Sequence, residues 1–203
     1  MSNNGKQIPE EVTIKRIREL AREIAIKVKK SNFNPDVVVG IEIGGQLLGR
    51  LIAHELKVPL ETVIVRRKTT SLMRTTIMRK IAKTRGGKTI GKFVNMFSNL
   101  GERHVKRTFE GNVQEQQKIL IVDDGTNTGK TMETTIKILL QKGGLRENIK
   151  TACVNAEGKK YKPNFYLTTK AIWWPWSTFS KYYPQFRKWR AKYRIKKLRL
   201  TRK

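Results

Sequence analysis

The chain has 203 residues and carries 44 Lys and Arg against 16 Asp and Glu, a formal net charge of +28. That imbalance is far beyond what solubility needs, and it implies an anionic partner or an anionic environment. A single cysteine, Cys153, excludes a disulfide framework and a cysteine-based zinc site.

The length suits one domain with a real core. No apolar run approaches the roughly 20 residues of a membrane span, and the opening MSNNGKQIPEEV lacks the apolar h-region of a signal peptide. A cytoplasmic protein is expected, with Cys153 a buried thiol in a reducing compartment. After a polar start, Glu10 to Lys30 places Ile14, Ile17, Leu20, Ile24 and Val28 at helical spacing. Pro35 breaks that helix, and Val37 to Ile41 is a short β-branched run of the buried-strand type. GGQLLGRLIAHELKV reads as a helix that opens at Gly44 and Gly45, and ETVIVRRK as a second strand.

A third strand is expected at Lys118–Val122, a helix at Thr131–Gln141, a fourth strand at IKTACVNA, and a fifth within FYLTTKAIWWPW. Strands alternating with helices imply an α/β fold, a parallel sheet with helices on both faces. Two segments stand outside this rhythm. Arg66 to Arg107 is dense in Lys and Arg with Glu102 its single acid, and its TRGGKTIGK reads as a flexible loop. Ser177 to Lys203 is basic and has no acid at all. The expected organisation is a domain over 1–176 and a basic, aromatic extension over 177–203.

The densest chemistry lies in KILIVDDGTNTGKTMETTIKILL. Its GTNTGKT is a near miss for an ATPase phosphate loop, which needs four residues between Gly and Gly-Lys-Thr. Gly125 is followed by only three residues before Gly129, and Asp124 stands where the first Gly would be. An acidic pair, Asp123 and Asp124, then a Gly-Thr turn and a helix N-terminus suit a different ligand. Backbone N–H groups at the helix start cup one phosphate, and the two acids accept hydrogen bonds from adjacent hydroxyls. A phosphate beside a cis-diol is a ribose 5-phosphate. The alternative is a solvated acidic turn that caps a helix.

ILIVDDGTNTGKTMET resembles the phosphoribosyl-pyrophosphate loop of the type I phosphoribosyltransferases, in the 6-oxopurine (hypoxanthine, guanine, xanthine) form. NPDVVVGIEIGGQLLGRLIAHELKVP, YKPNF and AIWWPW are similar to further segments of that family, so the likeness runs from the N-terminal helix to Trp176. The resemblance implies that Asp123 and Asp124 contact the ribose hydroxyls and hold Mg²⁺. It makes Thr126, Asn127, Thr128, Gly129, Lys130 and Thr131 the 5-phosphate cup. Ile43, Gly44 and Gly45 match the pyrophosphate loop, where a non-proline cis peptide is common in the family, and Lys68 falls where a cation sits near pyrophosphate. Lys162 matches the lysine that donates to a purine 6-oxo group, with Trp173 or Trp174 as a candidate ring against the base. It also implies phosphoribosyl pyrophosphate and a purine-like base as partners, a role in purine salvage, and a homo-oligomer.

Two positions depart from that pattern. The middle of the phosphate loop, where the family handles the purine N7 proton with Asp, holds Asn127, an amide that can hydrogen-bond but cannot act as a base. Ala171 stands where an aromatic ring usually stacks on the base. Asn127 is therefore the candidate catalytic residue with altered chemistry. Two functions follow: a Mg²⁺-dependent phosphoribosyltransferase, or a non-catalytic or weakly catalytic protein of the same fold that binds nucleic acid. The extension favours DNA or RNA contact through 66–107 and 177–203. Tyr182, Phe186, Trp189, Tyr193 and Leu200 share one helical face, Lys197 lies between them, and the other faces are basic. Packing on its own domain and contact with an anionic membrane surface are the other readings. His54 and His104 stand alone and receive no role.

Overall fold

A computed structural model describes residues 10–67, 103–107, 113–158, 160–177 and 180–188. Lys68, most of the basic loop, and Trp189, Tyr193, Lys197 and Leu200 of the extension lie outside the described residues. The elements in chain order are β1 (Glu10–Glu11), α1 (Ile14–Lys30), β2 (Val37–Ile41), α2 (Gly44–Leu56), β3 (Leu60–Arg67) and β4 (Arg103–Arg107). They continue with β5 (Ile119–Val122), β6 (Gly125–Thr126), α3 (Lys130–Gln141), a 3₁₀ turn (Arg146–Asn148), β7 (Ile149–Ala152), β8 (Asn155–Ala156) and β9 (Ile172–Trp173).

The main sheet has five strands in the order β4-β3-β2-β5-β7. From β3 to β7 the neighbours run parallel, with Val38 opposite Leu60 and Leu120, and Ile121 opposite Thr151. β4 joins the edge antiparallel to β3, with a register shift between Ile64 and Val65. β2 and β5 are buried at every position, as their β-branched runs require. Each fully buried aliphatic side chain is worth about 1.5–3 kcal/mol, so these two strands anchor the sheet.

The period-2 alternation divides the core. Val38, Leu120, Val122 and Ala152 pack with Leu20, Ile24 and Val28 of α1 and Leu48 and Ile52 of α2. Val37, Val39, Ile119, Ile121 and Ile149 face Met132, Ile136 and Leu139 of α3. Helices therefore cover both faces, and the α/β expectation is met.

The structure corrects three element boundaries. The first helix starts at Ile14, where Thr13 is the N-cap and its Oγ1 accepts the Arg16 N–H at 3.2 Å. Glu10 and Glu11 instead pair with Ile172 and Trp173, so the strand within FYLTTKAIWWPW belongs to a separate two-stranded sheet, while Phe165 at its start makes an isolated parallel bridge to Ala152 at the edge of the main one. IKTACVNA splits at Cys153 into β7 in the main sheet and β8, which pairs with β6. β4, inside the basic segment, was not foreseen as a strand.

Candidate active site

Strand order reverses between β2 and β5, because β3 lies on one side of β2 and β5 on the other. The crevice beyond the carboxyl ends at such a switch point is where open α/β sheets bind ligands. Two loops enter it. The loop after β2 contains a cis peptide bond between Glu42 and Ile43 and opens α2 through Gly44 and Gly45. A Cβ added at Gly44 would fall on the Asp124 carboxylate and the Trp176 indole nitrogen. One added at Gly45 would fall on the Val122 carbonyl and Asp123 Cα. The two glycines are thus required by the close approach of one loop to the other.

The loop after β5 begins with Asp123 and Asp124, both half-buried. The Asp124 N–H donates to Asp123 Oδ1 at 3.0 Å, and the Gly125 N–H donates to Asp124 Oδ1 at 2.8 Å. The second oxygen of Asp124 accepts the indole N–H of Trp176. β6 then pairs parallel with β8, and the Glu157 N–H donates to the Thr126 carbonyl at 2.9 Å. Thr126 Oγ1 accepts the Gly129 N–H at 3.2 Å.

Gly129 is the N-cap of α3 at φ +74°, and no side chain caps the helix there. The α3 start thus presents backbone donors at the positive end of its dipole, with the Thr126 and Thr131 side chains half-buried beside it and Asn127 and Lys130 exposed.

A third segment packs against the α3 start. The Tyr161 ring lies against Gly129, and its hydroxyl donates to Thr151 Oγ1 at 3.2 Å. Burial pushes the Tyr161 phenol above its ordinary value despite that bond. Cys153, buried behind the acidic pair, donates its S–H to the Asn155 carbonyl at 3.2 Å. Burial above all, with the Asp123 and Asp124 charges next, holds this thiol far above its ordinary value, so it is an inert core group. The Glu157 carboxyl is raised by burial and by the Asp124 charge, against the Asn155 Nδ2–H bond of 2.6 Å.

The structure sets Gly44 and Gly45 against Asp123 and Asp124, and the loop Thr126–Thr131 leads from that acidic pair to the α3 start. Lys162, next to Tyr161, is exposed. Trp173 is half-buried on β9 between the core residues Ile172 and Trp174, and Ala171 is half-buried beside it. Among the described residues no ring contact joins Trp173 to the two loops.

Sequence reasoning missed Trp176 and Tyr161 as site residues. Trp176 was visible as the end of AIWWPW, but it stands 52 positions from Asp124, and nothing local signals the bond.

The start of the extension is also tied to the domain. Ser180 Oγ–H and the Lys181 N–H donate to Glu11 Oε1 at 2.9 and 2.7 Å, and Lys181 Nζ lies 3.4 Å from Glu11 Oε2. Tyr182 and Phe186 line a cavity of about 480 Å³ with Ile17, Leu47, Leu51 and Trp176. The first two aromatics of the stripe therefore face the domain.

A family model described as Phosphoribosyl transferase domain matches residues 10–182. Among solved structures, the chain is similar to a purine phosphoribosyltransferase from Pyrococcus horikoshii at 21% identity and TM-score 0.60, over 83% of this chain and 93% of that one. It is similar to the Helicobacter pylori xanthine-guanine-hypoxanthine phosphoribosyltransferase at 13% identity and TM-score 0.59, over 84% and 95% of the two chains. A Neisseria gonorrhoeae protein solved with bound ppGpp has TM-score 0.58 at 16% identity, over 89% and 96%. At these identities the likeness is one of fold. No curated protein sequence matches the chain significantly.

Proposed function

The chain belongs to the phosphoribosyl transferase domain family, and from that premise we propose that it transfers ribose 5-phosphate from phosphoribosyl pyrophosphate to a purine-like base. One observation carries this reading. The acidic pair, which leads through one loop into the uncapped α3 N-terminus, meets the Gly44–Gly45 loop at a spacing that leaves no room for side chains on the glycines. A ribose 5-phosphate fits that set, with its phosphate on the α3 start and its hydroxyls on Asp123 and Asp124. The pyrophosphate lies against the Gly44 and Gly45 backbone, with Lys68 as its further cation.

The base nitrogen attacks C1 of the ribose as the C1–O bond to pyrophosphate breaks, and pyrophosphate leaves with the electron pair. The protein's share is positioning and electrostatic stabilisation. Lys162 donates to an oxo group of the base, and Trp173 is the candidate ring beside it. Asn127 hydrogen-bonds near the attacking nitrogen but takes no proton, so the proton leaves to solvent.

The donor set suits Mg²⁺, a hard cation that uses one or two carboxylates and keeps water and substrate phosphate oxygens as its other ligands. Asp123 and Asp124 would supply that carboxylate pair, and among the described residues no larger acidic or histidine cluster competes with them. When bound, the ion neutralises charge on the pyrophosphate oxygens.

The test is pyrophosphate release from phosphoribosyl pyrophosphate and Mg²⁺ across a panel of free purine and pyrimidine bases. Asp123→Asn with Asp124→Asn should abolish binding of phosphoribosyl pyrophosphate in calorimetry while the far-UV spectrum is unchanged. Tight ATP binding that depends on Lys130, with no affinity for the sugar phosphate, overturns the proposal. The net charge of +28 supports a second property, phosphate-directed nucleic-acid binding by the basic loop and extension.

A further inference from the structure

We infer that Trp176 is a positioning residue for the sugar-phosphate pocket, and that the start of the C-terminal extension holds it in place. The inference rests on the proposed function, since it concerns how Asp124 meets the ribose hydroxyls. An ionised carboxylate has about four acceptor positions. The Gly125 N–H takes one on Oδ1 and the Trp176 indole N–H takes one on Oδ2. The carboxylate plane is thereby fixed at both oxygens, and one acceptor position on each is left for a ribose hydroxyl or the metal ion. Without the indole, Oδ1 alone is tethered and the group can turn about its last torsion.

Trp176 is itself held on three sides. Its ring stacks on Trp174 with centroids 4.9 Å apart and 7° between planes. Phe186 of the extension tilts against it at 6.0 Å and 57°. Gly44 leaves the space that its indole nitrogen and Asp124 occupy. The extension is in turn anchored upstream of Phe186, where Glu11 Oε1 accepts both the Ser180 hydroxyl and the Lys181 N–H. A chain of contacts thus runs from β1 through Ser180 and Phe186 to Trp176 and the acidic pair.

Trp174 supplies an internal control. Its Nε1 is buried and has no hydrogen-bond partner among the described residues, although its ring stacks on Trp176. Loss of an indole N–H at 174 therefore removes packing but no bond, whereas loss at 176 removes the bond to Asp124.

The experiment is calorimetric titration of phosphoribosyl pyrophosphate with Mg²⁺ into the full chain and into Trp176→Phe, Trp174→Phe and Phe186→Ala. Trp176→Phe should weaken binding about tenfold, the size expected for one hydrogen bond to a charged group. Trp174→Phe keeps a ring against Trp176 and removes no bond to Asp124, so it should weaken binding less than Trp176→Phe even if its thermal midpoint falls, and Phe186→Ala should show an intermediate loss. In an Asp124→Asn background, Trp176→Phe should add less than it does alone, because it acts through that carboxylate. Equal loss from Trp176→Phe and Trp174→Phe, or full additivity with Asp124→Asn, overturns the inference. If Trp176→Phe does not fold, Phe186→Ala against Trp174→Phe decides on the same criterion. A parent chain that does not bind the sugar phosphate refutes the proposed function instead.

Discussion

Replacing Gly129 by alanine probes how the proposed phosphate cup is built. Gly129 sits at φ +74°, and an added Cβ would fall inside contact distance of Cβ, Cγ and Cδ2 of Tyr161. The left-handed backbone costs an L-residue about 1–2 kcal/mol, and overpacking against a held ring costs a further ~1–3 kcal/mol. Gly129→Ala should therefore destabilise the protein by about 2–5 kcal/mol on these two grounds, measured as a lowered urea midpoint with unchanged slope. In a Tyr161→Gly background, which removes the Cβ as well as the ring, the steric part disappears and the penalty should fall to about 1–2 kcal/mol. The same substitution should weaken sugar-phosphate binding, because the α3 N-terminal turn must shift to accommodate the methyl. A penalty below about 0.5 kcal/mol, or one of equal size in both backgrounds, refutes this steric and conformational role for Gly129.

Asn127→Asp should raise turnover with a 6-oxopurine, by up to about 10²-fold if general-base help is recovered, in steady-state pyrophosphate release; no gain in a variant that still binds phosphoribosyl pyrophosphate means that the acceptor is not a purine of that kind. Nucleic-acid affinity should fall linearly in a plot of log affinity against log salt, and a chain ending at Lys188, which keeps the docked residues 180–188, should show a shallower slope in anisotropy with the sugar-phosphate affinity intact. Burial alone would raise the Glu11 carboxyl, but the Ser180 hydroxyl, the Lys181 N–H and the Lys181 ammonium together hold it below its ordinary 4.5. Its contribution to docking the extension is then present above about pH 4.5 and is lost as pH falls through the lowered folded value. Tryptophan fluorescence should report an acid step before global unfolding that Glu11→Gln lacks. Cys153, with its raised thiol, should resist a disulfide reagent at about pH 8 in the native state and react only on unfolding, in a time-resolved thiol titration.

The local signals were legible in the sequence. Val37–Ile41 and Ile119–Val122 read as buried strands because continuous β-branched runs have no solvent face to mark. The acidic pair, the Gly-Thr turn and the α3 start are contiguous, so their spacing, one residue short of an ATPase loop, could be read directly. The net charge, likewise, is a property of composition. What composition and spacing do not contain is which distant segments meet.

The split of Ile149–Ala156 at Cys153 follows from β6 pairing with β8, and the late start of α1 from β1 pairing with β9. Those ladders join segments whose own propensity is indifferent, and tertiary pairing decides them. The Trp176–Asp124 bond spans 52 positions and the Ser180–Glu11 bond 169. A tryptophan beside a proline reads as core in any one-dimensional pattern. Only the crossing of the two loops beyond β2 and β5, with glycine leaving the space between them, turns it into a partner of the acidic pair.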